Sequence, residues 1–230
     1  MIGEILGETW ELYRKYFTHF VAIAAVFFLV LGAITLLLTL LLSWLGLLAS
    51  LLVQIVGTFW LQGALVQAIA DVRDGRADLT VGETFAKARP YLWRLLGAGL
   101  LAGIGILIGF ILLIVPGFIL LTWWSLIIPV IVLEGIAVMD SFGRSRELVR
   151  GNGWNVFGVI IITGILIGVL NRVIWVALIW LPVWLGYFLA QVISGSLLVP
   201  IAAIAYTLMY YKLARADAGV GEAAPGPATP

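Results

Sequence analysis

Apolar residues run along this chain in long blocks, and the polar residues fall between them. A helix needs roughly 20 apolar residues to cross about 30 Å of hydrocarbon. Six blocks meet that length, near residues 20–43, 50–70, 92–115, 118–138, 154–180 and 191–211. A short apolar turn at 44–49 is expected between the first two. The Pro116-Gly117 pair is expected to separate the third from the fourth. Between the last two, apolar character continues past Asn171, Arg172 and Pro182. Residues 173–186, with Trp175, Trp180 and Trp184, therefore fit either an extended fifth span or an interfacial segment.

The stretches outside the blocks carry patterns of their own. In the first twenty residues, Ile2, Ile5, Leu6, Leu12, Tyr13, Tyr16, Phe17 and Phe20 recur at helical spacing, with Glu4, Glu8, Glu11 and Lys15 opposite. This predicts an amphipathic helix in the membrane interface, not a basic-then-apolar signal peptide. Glu11 and Lys15 are spaced for a helical ion pair. Thr80 followed three residues later by Glu83 is a capping box, which starts a short helix at Val81. Asp140 reads as the N-cap of another helix that ends near Gly151. Residues 214–230 are rich in Ala, Gly and Pro, and read as a disordered tail. The fold class is all-α: one polytopic membrane helix bundle over 1–213, with the N-terminal interfacial helix and short loop helices.

Composition agrees. Hydrophobic residues make up 63% of the chain and charged residues 11%, against about 45–50% and about 25% in soluble domains. Mean hydropathy is +1.16. A net charge of +1 with no long basic run argues against a nucleic-acid partner. The absence of cysteine removes disulfides and thiolate chemistry. The basic residues then orient the spans. Arg14 and Lys15 precede the first span. Arg73, Arg76, Lys87, Arg89 and Arg94 surround the second connection. Arg144, Arg146 and Arg150 occupy the fourth, and Lys212 and Arg215 follow the last span. With six crossings all of these fall on one side, and Arg172 alone on the other. The positive-inside rule places that side, and both termini, in the cytoplasm.

Candidate chemistry is sparse. Thr35, Thr39 and Ser43 share one face of the first span; Ser50, Gln54, Thr58 and Gln62 share one face of the second. A hairpin register of Ser43 with Ser50, Thr39 with Gln54 and Thr35 with Thr58 would join the stripes. They suit either interhelical hydrogen bonds or a polar path. Gly99/Gly103, Gly105/Gly109 and Gly164/Gly168 have the spacing of close helix packing. Glu134 is the charge set deepest in an apolar run, and pairing with Arg144 or Arg146 would lower its cost. His19 is the lone histidine, at a membrane edge. Asp71, Asp74 and Asp78 are interleaved with arginines and read as a solvated loop. No catalytic motif, metal-ligand set or cofactor signature is recognised, so no catalytic, metal or cofactor residues are assigned.

The segment LEGIAVMDSFGRSRELVRGNGW at 133–154, preceded by LLIVPGFILLTWWSLIIPVIV, resembles the membrane domain that some bacterial glycerophosphoryl diester phosphodiesterases carry before their catalytic domain. The opening GEILGETWELYRKYFTHF and the ending AIAYTLMYYKLARADAG are similar to the same family. The resemblance covers about 1–215. It implies a multi-span bundle in the bacterial plasma membrane, and it brings no phosphodiesterase chemistry, since these 230 residues hold no such barrel. The function expected is a non-enzymatic, membrane-embedded interaction or lipid-associated module. Its basic loops would meet anionic headgroups, with a homo-oligomer or a membrane-protein partner left open. The alternative is a small transporter component with a polar path lined by spans one, two and four.

Overall fold

The computed structural model describes residues 1–73 and 78–219. All the described elements are helical. They are α1 (Ile2–Lys15), α2 (Phe17–Arg73), α3 (Val81–Ala88), α4 (Leu92–Leu112), α5 (Ile114–Trp123), α6 (Ile127–Glu134), α7 (Val138–Val149), α8 (Gly153–Ala177) and α9 (Val183–Asp217). A 3₁₀ turn at Arg89–Tyr91 joins α3 to α4. Five segments are long and apolar enough to cross a membrane: α2, Val81–Leu112, Ile114–Glu134, α8 and α9. The chain is thus an all-α bundle of the multi-pass membrane type.

The longest segment folds back on itself. Ser43 has φ 48° and ψ −121° inside α2, the conformation of the first central residue of a type II′ turn. Arms 17–42 and 44–73 run antiparallel from it, so α2 supplies two crossings and the bundle six. The expected turn at 44–49 is corrected to Ser43, and the register moves with it. Ser50 Oγ lies 3.4 Å from the Thr35 carbonyl oxygen. The expected partners of Thr35, Thr39 and Ser43, namely Thr58, Gln54 and Ser50, are displaced accordingly. The tight fold-back needs Gly46, where a Cβ would lie 2.0 Å from the Leu38 carbonyl oxygen.

The second hairpin also turns earlier than expected. Leu113, extended at φ −161° and ψ 148°, separates α4 from α5. Pro116 instead enters the first turn of α5, where its missing N–H costs nothing. Gly117 faces Gly109, and a Cβ on Gly109 would meet the Gly117 Cα at 3.1 Å. Aromatic rings fill the space at two other glycines of α4: Phe59 at Gly99 and Trp124 at Gly105. The packing role expected of Gly103, Gly164 and Gly168 is not seen, because a Cβ on any of them meets nothing within 4 Å.

At the ends, α1 is helical and amphipathic as expected, but it packs on protein. Ile5 and Tyr13 are buried, and the Tyr13 hydroxyl donates to the Leu197 carbonyl at 3.0 Å. Glu4, not Glu11, is the carboxylate of α1 that finds a lysine, namely Lys212. The capping box is formed: Glu83 N–H donates to Thr80 Oγ1 at 3.3 Å, and Thr80 N–H donates to Glu83 Oε2 at 2.9 Å. Asp140 is not an N-cap; Ala137 precedes α7 without a side-chain cap. A turn at 178–182 ends α8, and Pro182 opens α9, so residues 183–190 belong to the last helix. That helix continues to Asp217, which corrects the expected tail at 214–217. Asp74, Arg76 and residues 220–230 lie outside the described residues.

Candidate functional site

Two places gather the residues singled out in the sequence. The first lies where α6 and α7 meet α9. Gly135, with φ 69°, ends α6 in the left-handed conformation and lets α7 double back alongside it. Arg144 Nε donates to both carboxylate oxygens of Glu134, at 3.2 Å each. Its Nη1 donates to Asp217 Oδ2 at 2.7 Å. The Tyr210 hydroxyl donates to Glu134 Oε1 at 2.9 Å. One guanidinium therefore joins the end of α6 to the end of α9. It does so with a single N–H shared by Glu134, not with a two-pronged fork. Hydrogen bonding to Asp217 raises the Arg144 pKa above its ordinary value; burial opposes this, and the hydrogen bond to Glu134 and the charges of both carboxylates add to the rise. Arg146, the other partner considered for Glu134, lies over the Trp123 ring at 4.2 Å, a cation–π contact.

The same helix enters the bundle. The fourth crossing is broken between Trp123 and Ile127. A broken helix leaves backbone groups without partners, which is costly away from water. Ser145, fully buried on α7, supplies them: its Oγ accepts from the Leu126 N–H at 3.2 Å and donates to the Trp123 carbonyl at 2.6 Å. Neither Ser145 nor Tyr210 nor Asp217 stands out in the sequence. A serine between two arginines reads as loop polarity, and its partners lie 19 and 22 residues upstream.

The second place is a cavity of about 450 Å³ among α2, α6, α8 and α9. Thr58 and Gln62 of the second span line it, as does Phe28 of the first. Gln54 and Glu134 do not, so the polar residues singled out are not all on one path. The other polar residues in its wall are Ser125, Asn171, Ser194, Tyr206 and Thr207, and none of the lining residues is an acid, lysine, arginine or histidine. The hydroxyl oxygens of Ser194 and Thr207 are buried without a hydrogen-bond partner.

The carboxylate loop behaves as a structural element. Asp71 Oδ2 accepts from the N–H groups of Asp78 and Leu79 at 3.2 and 3.4 Å. Among the described residues no group of three or more His, Cys, Asp or Glu side chains is placed to hold a metal ion. Comparison with protein families, curated proteins and solved structures finds no match to this chain.

Proposed function

We propose that this chain is a non-enzymatic, lipid-associated module of the bacterial plasma membrane, with both termini in the cytoplasm. The observation that carries the reading is the presentation of α7. Its inner face is fixed by Ser145 and by the Glu134–Arg144–Asp217 cluster. Its outer face exposes Arg146 and Arg150 between the apolar side chains of Met139 and Trp154, which are 72% and 86% exposed. Trp93, next to Arg94, is exposed in the same way. Tryptophan beside arginine suits the headgroup level, where the ring sits among acyl ends and the cation meets anionic lipid. The kinship with the membrane domain of glycerophosphoryl diester phosphodiesterases belongs to this proposal, resting on the residues quoted for it.

The test is lipid retention. Protein released from nanodiscs of mixed phosphatidylglycerol and phosphatidylcholine is expected to keep phosphatidylglycerol in native mass spectrometry. A basic residue near an anionic surface contributes about 1 kcal/mol, or about fivefold in affinity. Arg146→Gln with Arg150→Gln should therefore reduce the retained anionic lipid strongly. Unchanged retention in the double variant would remove the basis of the reading.

A second reading, a small transporter component, is supported by the cavity beside the broken fourth crossing. Discontinuous helices bordering a cavity are the arrangement in which many transporters hold substrate. Solute flux into proteoliposomes that disappears in Gln62→Leu would favour it. No flux across a panel of neutral solutes would set it aside.

A further inference from the structure

We propose that the cavity among α2, α6, α8 and α9 is a binding site for an uncharged amphiphile of the diacylglycerol class, a lipid whose head offers hydroxyl and ester carbonyl groups together. The inference is independent of the headgroup contacts of α7.

The lining decides the class. Phe28, Val66, Ile128, Ile167, Leu198 and Val199 make most of the wall apolar. A charged headgroup would find no countercharge there, and burying an unpaired charge is prohibitive. A small hydrophilic solute would leave that apolar wall in contact with water. The polar groups present both roles that a hydroxyl-ester head requires. Gln62 and Asn171 are primary amides, which donate and accept, and neither shows a hydrogen bond to protein among the described residues. Thr207, fully buried, and Ser194 belong to the same wall, and their hydroxyl oxygens have no hydrogen-bond partner.

Size fits a lipid head with the first carbons of its chains. A volume of 450 Å³ equals that of about fifteen waters at roughly 30 Å³ each. That accommodates a glycerol, its ester groups and the first carbons, but not two whole acyl chains. The α8 wall is one helix thick. Ile167 and Asn171 face the cavity, while Leu166 and Val169 on the other side of α8 are 45% and 57% exposed.

The test is photolabelling of the full chain in phosphatidylcholine nanodiscs with a diacylglycerol that carries a diazirine next to its carbonyl. Label is expected in peptides covering 58–66 and 194–207. Unlabelled diacylglycerol should compete, and phosphatidylglycerol and glycerol should not. Gln62→Leu combined with Asn171→Leu removes the amides and nearly keeps the volume, and is expected to reduce labelling about tenfold, since each lost hydrogen bond is felt as about threefold. Ala202→Trp, which fills the cavity, should abolish labelling. If Ala202→Trp does not fold, the amide pair decides alone. The proposal is overturned by label spread over the outer faces of the helices, by labelling that survives loss of both amides, or by equal competition from phosphatidylglycerol or glycerol.

Discussion

Ser43 is the one non-glycine residue of the described chain with positive φ. Its backbone sits where L-residues are strained, and such positions cost about 1–3 kcal/mol. Ser43→Gly is therefore expected to raise stability by about 1 kcal/mol after glycine's greater unfolded-state freedom is counted, read as a higher melting temperature in detergent. A lower melting temperature would mean that the Ser43 side chain stabilises the turn. Ser145 predicts the opposite sign. Ser145→Ala strands the Leu126 N–H and the Trp123 carbonyl inside the bundle, so a loss of about 1–3 kcal/mol is expected. Ser141→Ala, one turn earlier on α7, removes only a hydroxyl bonded to the Val138 carbonyl and should cost less. Neither residue could be read from the sequence. A strained φ has no local signature when the residue is serine, and the partners of Ser145 exist only after α7 has doubled back.

Between elements, pairwise chemistry was legible and register was not. Glu134 and Arg144 stand out because one charge in an apolar run needs another nearby. The count of crossings follows from block length. The hairpin register does not, because a leucine-rich repeat is nearly the same when slid by a turn, and one strained residue moved the fold-back from 44–49 to Ser43. Two expectations follow. Cysteines at 35 and 50 should crosslink in preference to 35 and 58; the reverse preference would restore the looser turn. In the cluster, Arg144→Gln should destabilise more than Glu134→Gln. The arginine holds two carboxylates, whereas a glutamine at 134 still accepts from Tyr210. Both groups are partly exposed, 29% for Arg144 and 23% for Glu134, so each loss should fall below the 3–5 kcal/mol of a fully buried broken pair. The double variant should lose less than the sum. Glu134→Gln with Arg146→Gln should be additive, since Arg146 rests on Trp123. Coupling of Glu134 to Arg146 instead would contradict the geometry.

On the scale of the molecule, the contacts at one end of the bundle set the topology. Glu4 of α1 reaches Lys212 of α9. Arg94 at the start of α4 donates to the Gly135 carbonyl at 2.8 Å. Arg73, at the end of α2, lies over the Tyr211 ring at 3.9 Å, and Arg144 of α7 reaches Asp217. The N-terminal helix, both basic connections and the end of α9 therefore share one face, as six crossings require. The opposite end carries the tips of the first two hairpins, where Leu41, Trp44, Leu112 and Leu113 are exposed and neither tip holds a basic residue; Arg172, near the end of α8, is the one basic residue toward that side. The charge pattern made this division readable, because arginines are retained on one side of a membrane whatever the helix packing. The structure also says where to probe it. Ser141 and Gly46 are poor sites for cysteine, the first being buried and the second crowded by the Leu38 carbonyl. Gly143 and Ala218 are exposed, and a Cβ on Gly143 meets nothing within 4 Å. Single cysteines at 143 and 218 should resist an impermeant thiol reagent on intact cells and react once the cells are opened. A cysteine at 44 should react from outside. Labelling of 143 and 218 from outside with 44 protected would invert the bundle. Labelling of 143 but not 218 would break the shared face itself, and with it the Arg144–Asp217 contact that ties α7 to the end of α9.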